Sequence, residues 1–447
     1  MTKRSWLNKE VFGWAMFDFA NQAFTLVILT TMFHLYFVNH IVVGDESRGR
    51  QLWAISGIIA LLMVIVVSPL IGALADFSGA KKRLLFVTYV VSVTLTASLG
   101  LVAPGQVAAA MVLFVVGYGF YAVGENFMAA FLPELARHGD MGKVSAFGFT
   151  LGYTGGLSCL AGAAVITSIW DGPTGYRLVC LWAGIFFLFA ALPTFILLRE
   201  RKQREIMPPG QTMVTIGFHR LAGTFRSIRQ YRQLFRFLGI MTFYLAGMQI
   251  VIWFAGSIAK NIFGFGEAQL AIYILILTVT AIIGAFVTGR FQDRIGTRRT
   301  IIMALILWLA VMSAMLFVNA QMRFMFWVLG SGVGFGMGML GTSTRAMVGL
   351  FSPPHKAAEF FGFYGLGTKV AAILGLTLSI LAEKAFGGQY NLVVASSGIF
   401  FLVGLVLMFS VNERAGRIAA TRAAREHSRQ YPDYAGEMVE HENRSRE

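Results

Sequence analysis

Long apolar runs alternate with short polar clusters along the whole chain, and no stretch shows the ten-residue alternation of a barrel strand. A helix needs about 20 mostly apolar residues to cross a hydrocarbon core, and by that measure the pattern predicts roughly twelve spans. They fall near residues 11–38, 52–76, 82–103, 107–132, 144–169, 177–198, 234–259, 267–291, 299–318, 322–347, 359–383 and 390–411. Lipid offers no hydrogen bonds to a backbone, so spans of this kind are helical and the expected class is all-α integral membrane. The longest polar stretch separates spans six and seven. It divides the chain into residues 1–198, a linker over 199–233, residues 234–412 and a tail over 413–447. Pro208-Pro209-Gly210 interrupts the linker, after which Phe218, Leu221, Phe225 and Ile228 recur at helical spacing among Arg220, Arg226, Arg229 and Arg232. That spacing predicts an amphipathic helix on a membrane surface, equally readable as a plain tether or as a gating element. In the tail, Glu413 to Arg425 reads as a short helix, and the remainder has the composition of a disordered segment.

Composition narrows the function classes. Hydrophobic residues make up 56% of the chain, charged residues 13%, and the mean hydropathy is +0.67, too apolar for a hydrated globular surface. The net charge of +15 does not form a nucleic-acid patch, because the basic residues sit in short clusters between spans. Lys3, Arg4, Lys9, Lys81 to Arg83, Arg137, Lys143, the linker, the basic segment Arg290 to Arg299 and the tail fall on one side, against Arg48, Arg50, Arg177, Lys260, Arg323 and Lys384 on the other. The positive-inside rule therefore predicts an inner-membrane protein with both termini in the cytoplasm. No cleavable signal peptide is expected, since the first run is too long and contains Asp18 and Asn21. Cys159 and Cys180 lie in apolar runs and read as small hydrophobes, His34 and His355 are isolated, and no metal or other cofactor is expected.

One polar segment occurs twice. Gly72, Asp76, Gly79 and Lys81 share their order and spacing with Gly289, Asp293, Gly296 and Arg298, further basic residues follow in each set through Arg83 and Arg299, and each set lies at the same place in its half of the chain. Both read as hinges in which the aspartate forms a structural latch. Glu134, Arg137 and Glu359 sit at span ends, where solvation suffices. Polar side chains at membrane depth are the first candidates for function. Span one holds Asp18, Asn21 and Gln22 on one helical face, and span four holds Tyr118, Tyr121, Glu125 and Asn126. In the second half stand Gln249 and Trp253 in span seven, Arg345 in span ten, and Tyr364 and Lys369 in span eleven. Two acids in the first half thus oppose two bases in the second, an asymmetry suited to closing one side through ion pairs or to binding a zwitterion. The glycines of spans five and ten read as helix-packing positions, and no strand precedes them to make a phosphate loop.

The doubled hinge resembles the loop signature of the major facilitator superfamily, which implies twelve helices in two six-helix bundles. Three further segments resemble its vacuole-effluxer branch, relatives of the fungal autophagy-linked amino-acid exporter. They are Trp14 to Phe24, Asn126 to Leu135 with Ser145 to Gly156, and Glu359 to Lys369 ending at Gly375. By matching position, the resemblance gives Asp18, Asn21, Asn126, Tyr153, Arg345 and Lys369 roles in a cavity. It departs from the family pattern at Gly341 and Thr344, ahead of Arg345, and in span seven, where Gln249 stands near the place of a common acidic residue. The implied activity is movement of a small organic solute, an amino acid or related zwitterion, by alternating access, with efflux favoured over uptake. Asp18 or Glu125 is then the proton carrier if transport is coupled. The expected partners are the solute, protons and membrane lipids, and a monomer is expected. A larger amphiphile, a peptide or an organic anion is the alternative cargo, and a receptor or scaffold without transport is the rival class.

Overall fold

The computed structural model describes residues 6–44, 46–137, 139–200, 215–217, 219, 222–223, 228–319, 321–387 and 389–430. The proposed amphipathic linker helix rests on Phe218, Leu221 and Phe225, which lie outside these residues, as does the tail beyond residue 430. Among the described residues every regular element is a helix.

Among the described residues, eleven helices are long and apolar enough to span a membrane. In chain order they are α1 (Lys9–Ile41), α2 (Glu46–Ser78), α3 (Lys81–Leu101), α4 (Val107–Leu135), α5 (Met141–Ile169), α6 (Gly172–Leu197), α7 (Arg232–Asn261), α8 (Glu267–Ile295), α9 (Thr297–Met315), α10 (Arg323–Phe351) and α11 (Ala357–Ala385). The twelfth, α12, consists of two shorter helices, Tyr390–Ser396 and Gly398–Met408, and a tail helix, α13 (Glu413–Gln430), turns away from it by 67°. Apolar runs found these elements, but their limits stop short at the hinge end. Helices α5 and α8 continue past the apolar run through Lys143 and Asp293, and α11 starts ahead of it at Ala357, because a helix can extend beyond the hydrocarbon where its polar turns find partners. Helix α1 is wound as a π-helix over Phe24–Thr30 and Phe37–Ile41, and the hydroxyls of Thr30 and Thr31 donate to the carbonyls of Thr25 and Leu26 that this winding leaves available.

Helices α1 to α6 pack as one bundle and α7 to α12 as another. The bundles meet chiefly along α2 with α11 and α5 with α8, two pairs related by the internal repeat. Small residues permit both approaches: Gly72 lies against the Ala358 carbonyl and Gly289 against Ala146. The hinges between α2 and α3 and between α8 and α9 turn at Gly79 (φ 63°) and Gly296 (φ 95°), backbone conformations that L side chains rarely adopt.

Candidate functional site

The two hinge aspartates do the same job in mirror positions. Asp76, fully buried at the end of α2, accepts the Glu359 backbone N–H at 2.8 Å in the first turn of α11. Asp293, at the end of α8, accepts the Gly142 and Lys143 N–H groups at 2.8 and 3.0 Å in the first turn of α5. Each carboxylate thus satisfies orphan donors and faces the positive end of a helix belonging to the opposite bundle. Lys81 is fully buried as well, 3.6 Å from Asp76 and hydrogen-bonded to Glu134. Two expectations are corrected here. Glu134 and Glu359 are not solvated span ends: Glu134 holds the buried Lys81, and Glu359 has no exposed surface because α2 and α11 close over it. Past α6, Glu200 accepts the Lys82 N–H at 2.8 Å, and burial pushes its carboxyl above the ordinary range despite that bond and the nearby Lys81.

The hinge arginines, unlike Lys81, are not gathered at the bundle contact. Arg83 and Arg299 are exposed. Arg298 donates to the Met408 and Phe409 carbonyls at 3.3 and 2.9 Å, and its N–H reaches Glu413 at 2.9 Å, so it fastens α12 and α13 to α9.

Deeper in the molecule the opposed charges meet. Arg345 of α10 donates from Nη1 to Asp18 of α1 at 2.7 Å, with both groups buried. Its Nη2 donates to the Ser145 carbonyl at 2.8 Å, and the guanidinium lies over the rings of Trp14 (4.9 Å) and Phe149 (4.2 Å). Ser145 in turn donates to the Thr342 carbonyl at 2.8 Å, another bond between bundles. The pair needs Gly148, where a Cβ would come within 2.5 Å of both Arg345 Nη2 and Asp18 Oδ2. A second pair crosses the bundles farther from the hinges: Lys369 of α11 lies 3.9 Å from Glu125 of α4 and 5.5 Å from the Tyr118 ring centre. Lys369 is twelve residues into α11, about 18 Å along its axis. Glu125 keeps 39% of its side-chain exposure at that depth, against 11% for Asp18.

The remaining candidates surround these pairs. Tyr364 lies in the electrostatic field of all four charges. Tyr121 bonds Thr25 at 2.7 Å, and Asn126 donates to Ser68 at 2.7 Å. Asn21 is buried one turn from Asp18, and Gln22 packs on Gly152 and Gly156. Tyr153 stands beside Phe149, one turn from the Arg345 cluster. Gln249 packs on Gly375, and the Trp253 side chain lies outside the described residues. Ser145, Gly148, Phe149 and Trp14 complete the Arg345 nest without having been singled out as site residues. All four fall inside the segments that carry the family resemblance, the one signal that pointed to them. Among the described residues no cluster of His, Cys, Asp and Glu has the arrangement of a metal site.

Two six-helix bundles joined at one end by charge pairs and helix caps define a transporter of the major facilitator class, and solved structures support the fold. The human organic anion transporter MFSD10 (TETRAN) superposes with a TM-score of 0.70 at 15% identity, over 90% of this chain and 99% of that one. FucP in its outward conformation gives 0.69 at 13%, over 92% and 100%. The chain belongs to the "Vacuole effluxer Atg22 like" family, whose profile matches residues 52–421. It is 27% identical to the uncharacterized MFS-type transporter YxiO of Bacillus subtilis over 421 residues, 92% of this chain and 96% of that protein. It is 25% identical to autophagy-related protein 22-1 of Aspergillus fumigatus over 315 residues, 63% of this chain and half the length of that relative. The chain is accordingly a membrane transporter and not an enzyme.

Proposed function

We propose that the protein exports a small zwitterionic solute of the amino-acid type across the cytoplasmic membrane by alternating access, working as a monomer with its hinge end and termini in the cytoplasm. The observation that carries this reading is the pair of acid–base contacts made between bundles and not within them. In the state described, the hinge end is shut by Asp76, Asp293 and the Asp18–Arg345 pair. Parting the bundles separates each acid from its base, and an ion left alone at membrane depth is costly. A zwitterion relieves that cost by offering a carboxylate to Lys369 and an ammonium to Glu125, which are loosely paired and partly exposed. Arg345 is held by Asp18, Ser145 and two rings, an arrangement that suits closing the gap better than holding cargo. Glu125 is the better proton carrier of the two acids, since its exposure lets it exchange with water on one side while Lys369 competes for its charge. The hinge lysines and arginines, the excess of basic residues at that end and the effluxer family support the orientation and the direction.

The test is flux into proteoliposomes under a pH gradient, with alanine, succinate and xylose as zwitterionic, anionic and neutral probes. Saturable movement of alanine that Lys369→Met removes supports the reading. Movement of succinate alone points to an organic anion carrier, and alanine flux unchanged by Lys369→Met refutes the zwitterion site.

A further inference from the structure

On the outside of the α5–α8 contact, at the hinge end, a recess of about 300 Å³ lies between the bundles. Trp6, Phe147 and Phe286 form its apolar wall, and Lys143, Arg290 and Arg294 its basic one. Lys143 is paired with Asp140 at 2.6 Å, and Asp293 is turned toward the first turn of α5. Arg290 and Arg294 make no ion pair or hydrogen bond that any neighbour among the described residues supplies; Arg290 lies only against the Phe286 ring at 3.5 Å. These two guanidiniums are one helical turn apart on the same face of α8.

That face states its surroundings. Val279, Ile283 and Phe286 are 39%, 47% and 49% exposed, and with Arg290 and Arg294 they follow one another at steps of three or four residues. A single exposed stripe therefore passes from apolar to cationic as α8 reaches the hinge end. This is how a helix face reads when it runs from acyl chains into the headgroup layer. The recess sits at the point of change, walled by rings on one side and on the other by two cations that no described residue pairs.

We propose that this recess holds the phosphodiester headgroup of an anionic phospholipid, with Arg290 and Arg294 on the phosphate and the acyl chains along the apolar stripe of α8. Arginine forks suit phosphate oxygens, and basic recesses between membrane helices suit such headgroups. Its walls come from α5 and α8, one helix of each bundle, with Trp6 added from the segment that leads into α1. The lipid therefore binds the hinge-closed state and favours it, a consequence that rests on the rocking proposed above, whereas binding itself does not.

The experiment uses the full-length protein in mild detergent, with bound lipid counted by native mass spectrometry after incubation with phosphatidylglycerol or phosphatidylcholine. Phosphatidylglycerol is retained in preference, and the Arg290→Gln/Arg294→Gln variant retains it about thirtyfold less, taking each cation at its usual weight near an anionic surface. Arg83→Gln/Arg299→Gln, with the same charge change elsewhere at the hinge end, retains it like the wild type. Should the double variant fail to fold, Arg294→Gln alone shows about a fivefold loss. Equal retention by wild type and the recess variants, or equal loss in the Arg83/Arg299 control, overturns the proposal. So does free glycerol phosphate binding as tightly as the lipid, which would mark a soluble-anion pocket.

Discussion

Replacing Asp18 by Asn leaves Arg345 in its nest with no countercharge. In the hinge-closed state the guanidinium keeps its bonds to Ser145 and its place over Trp14 and Phe149, but it loses the carboxylate at 2.7 Å. Removing one partner of a buried ion pair costs about 3–5 kcal/mol, and the retained amide oxygen and ring contacts favour the lower end of that range. Because the partners stand on different bundles, the cost falls on the closed state alone; once the bundles part, the pair is already broken and the substitution removes no contact there. A shift of about 3 kcal/mol changes the closed-to-open ratio by roughly two orders of magnitude. The assay is a spin-label distance between Arg83→Cys and Arg299→Cys, exposed hinge-end positions on opposite bundles, with the buried Cys159 and Cys180 replaced. The Asn variant populates a longer distance at the expense of the short one, and adding Arg345→Gln recovers part of the short population because the uncompensated charge is gone. An unchanged distribution in Asp18→Asn refutes the assignment of this pair to closure.

Four further outcomes follow from the same contacts. Gly148→Val places side-chain atoms on both members of the Asp18–Arg345 pair, so it opens the hinge end as Asp18→Asn does while the protein remains monodisperse by gel filtration. Asp76→Asn and Asp293→Asn each remove a carboxylate from the start of a helix in the opposite bundle; each lengthens the hinge-end distance by a smaller population shift, worth about 1 kcal/mol, and the double variant adds the two effects. Glu125→Gln abolishes accumulation driven by a pH gradient but leaves exchange of unlabelled for labelled solute, and retention of both refutes its role as proton carrier. Burial raises the Glu200 carboxyl, so ionising it costs folded-state stability: at pH below the ordinary value of 4.5 Glu200→Gln melts like the wild type, between that value and the raised one the wild type progressively loses stability, and above the raised value the variant is the more stable by a constant margin. Identical melting curves at all pH values would contradict that burial.

Much of this site stands out in the sequence because charge inside an apolar run is conspicuous. Asp18, Glu125, Arg345 and Lys369 need no tertiary information to be noticed, and the repeated spacing marks Asp76 and Asp293. What the sequence hides is partnership. Lys81 and Glu134 look like ordinary loop charges, since nothing local tells that α2, α4 and α11 converge over them. Ser145 and Gly148 act on groups distant in the chain, Arg345 for the first and both Arg345 and Asp18 for the second, through a carbonyl and through the absence of a Cβ, neither of which leaves a pattern along the chain. The π-wound turns of α1 are equally hidden, because apolar periodicity in a lipid-embedded helix is too weak to record a change of winding. Hydropathy located the spans but not their ends, which are set at the hinge side by the capping carboxylates.

The central claim is that the bundles share a gap reached from one compartment at a time, and side-specific labelling of a cysteine at Tyr153 tests it without knowing the cargo. In a background lacking the native cysteines, a second pair, Met141→Cys and Gly349→Cys, spans the bundles at the hinge end, where a Cβ at residue 349 would lie 3.0 Å from the Met141 sulfur. With that pair reduced, an impermeant maleimide labels the Tyr153→Cys position from either side of the membrane; with it oxidised, labelling from the hinge side stops and labelling from the other side persists. Continued labelling from the hinge side of the oxidised protein, or none from either side when reduced, would contradict alternating access through this gap.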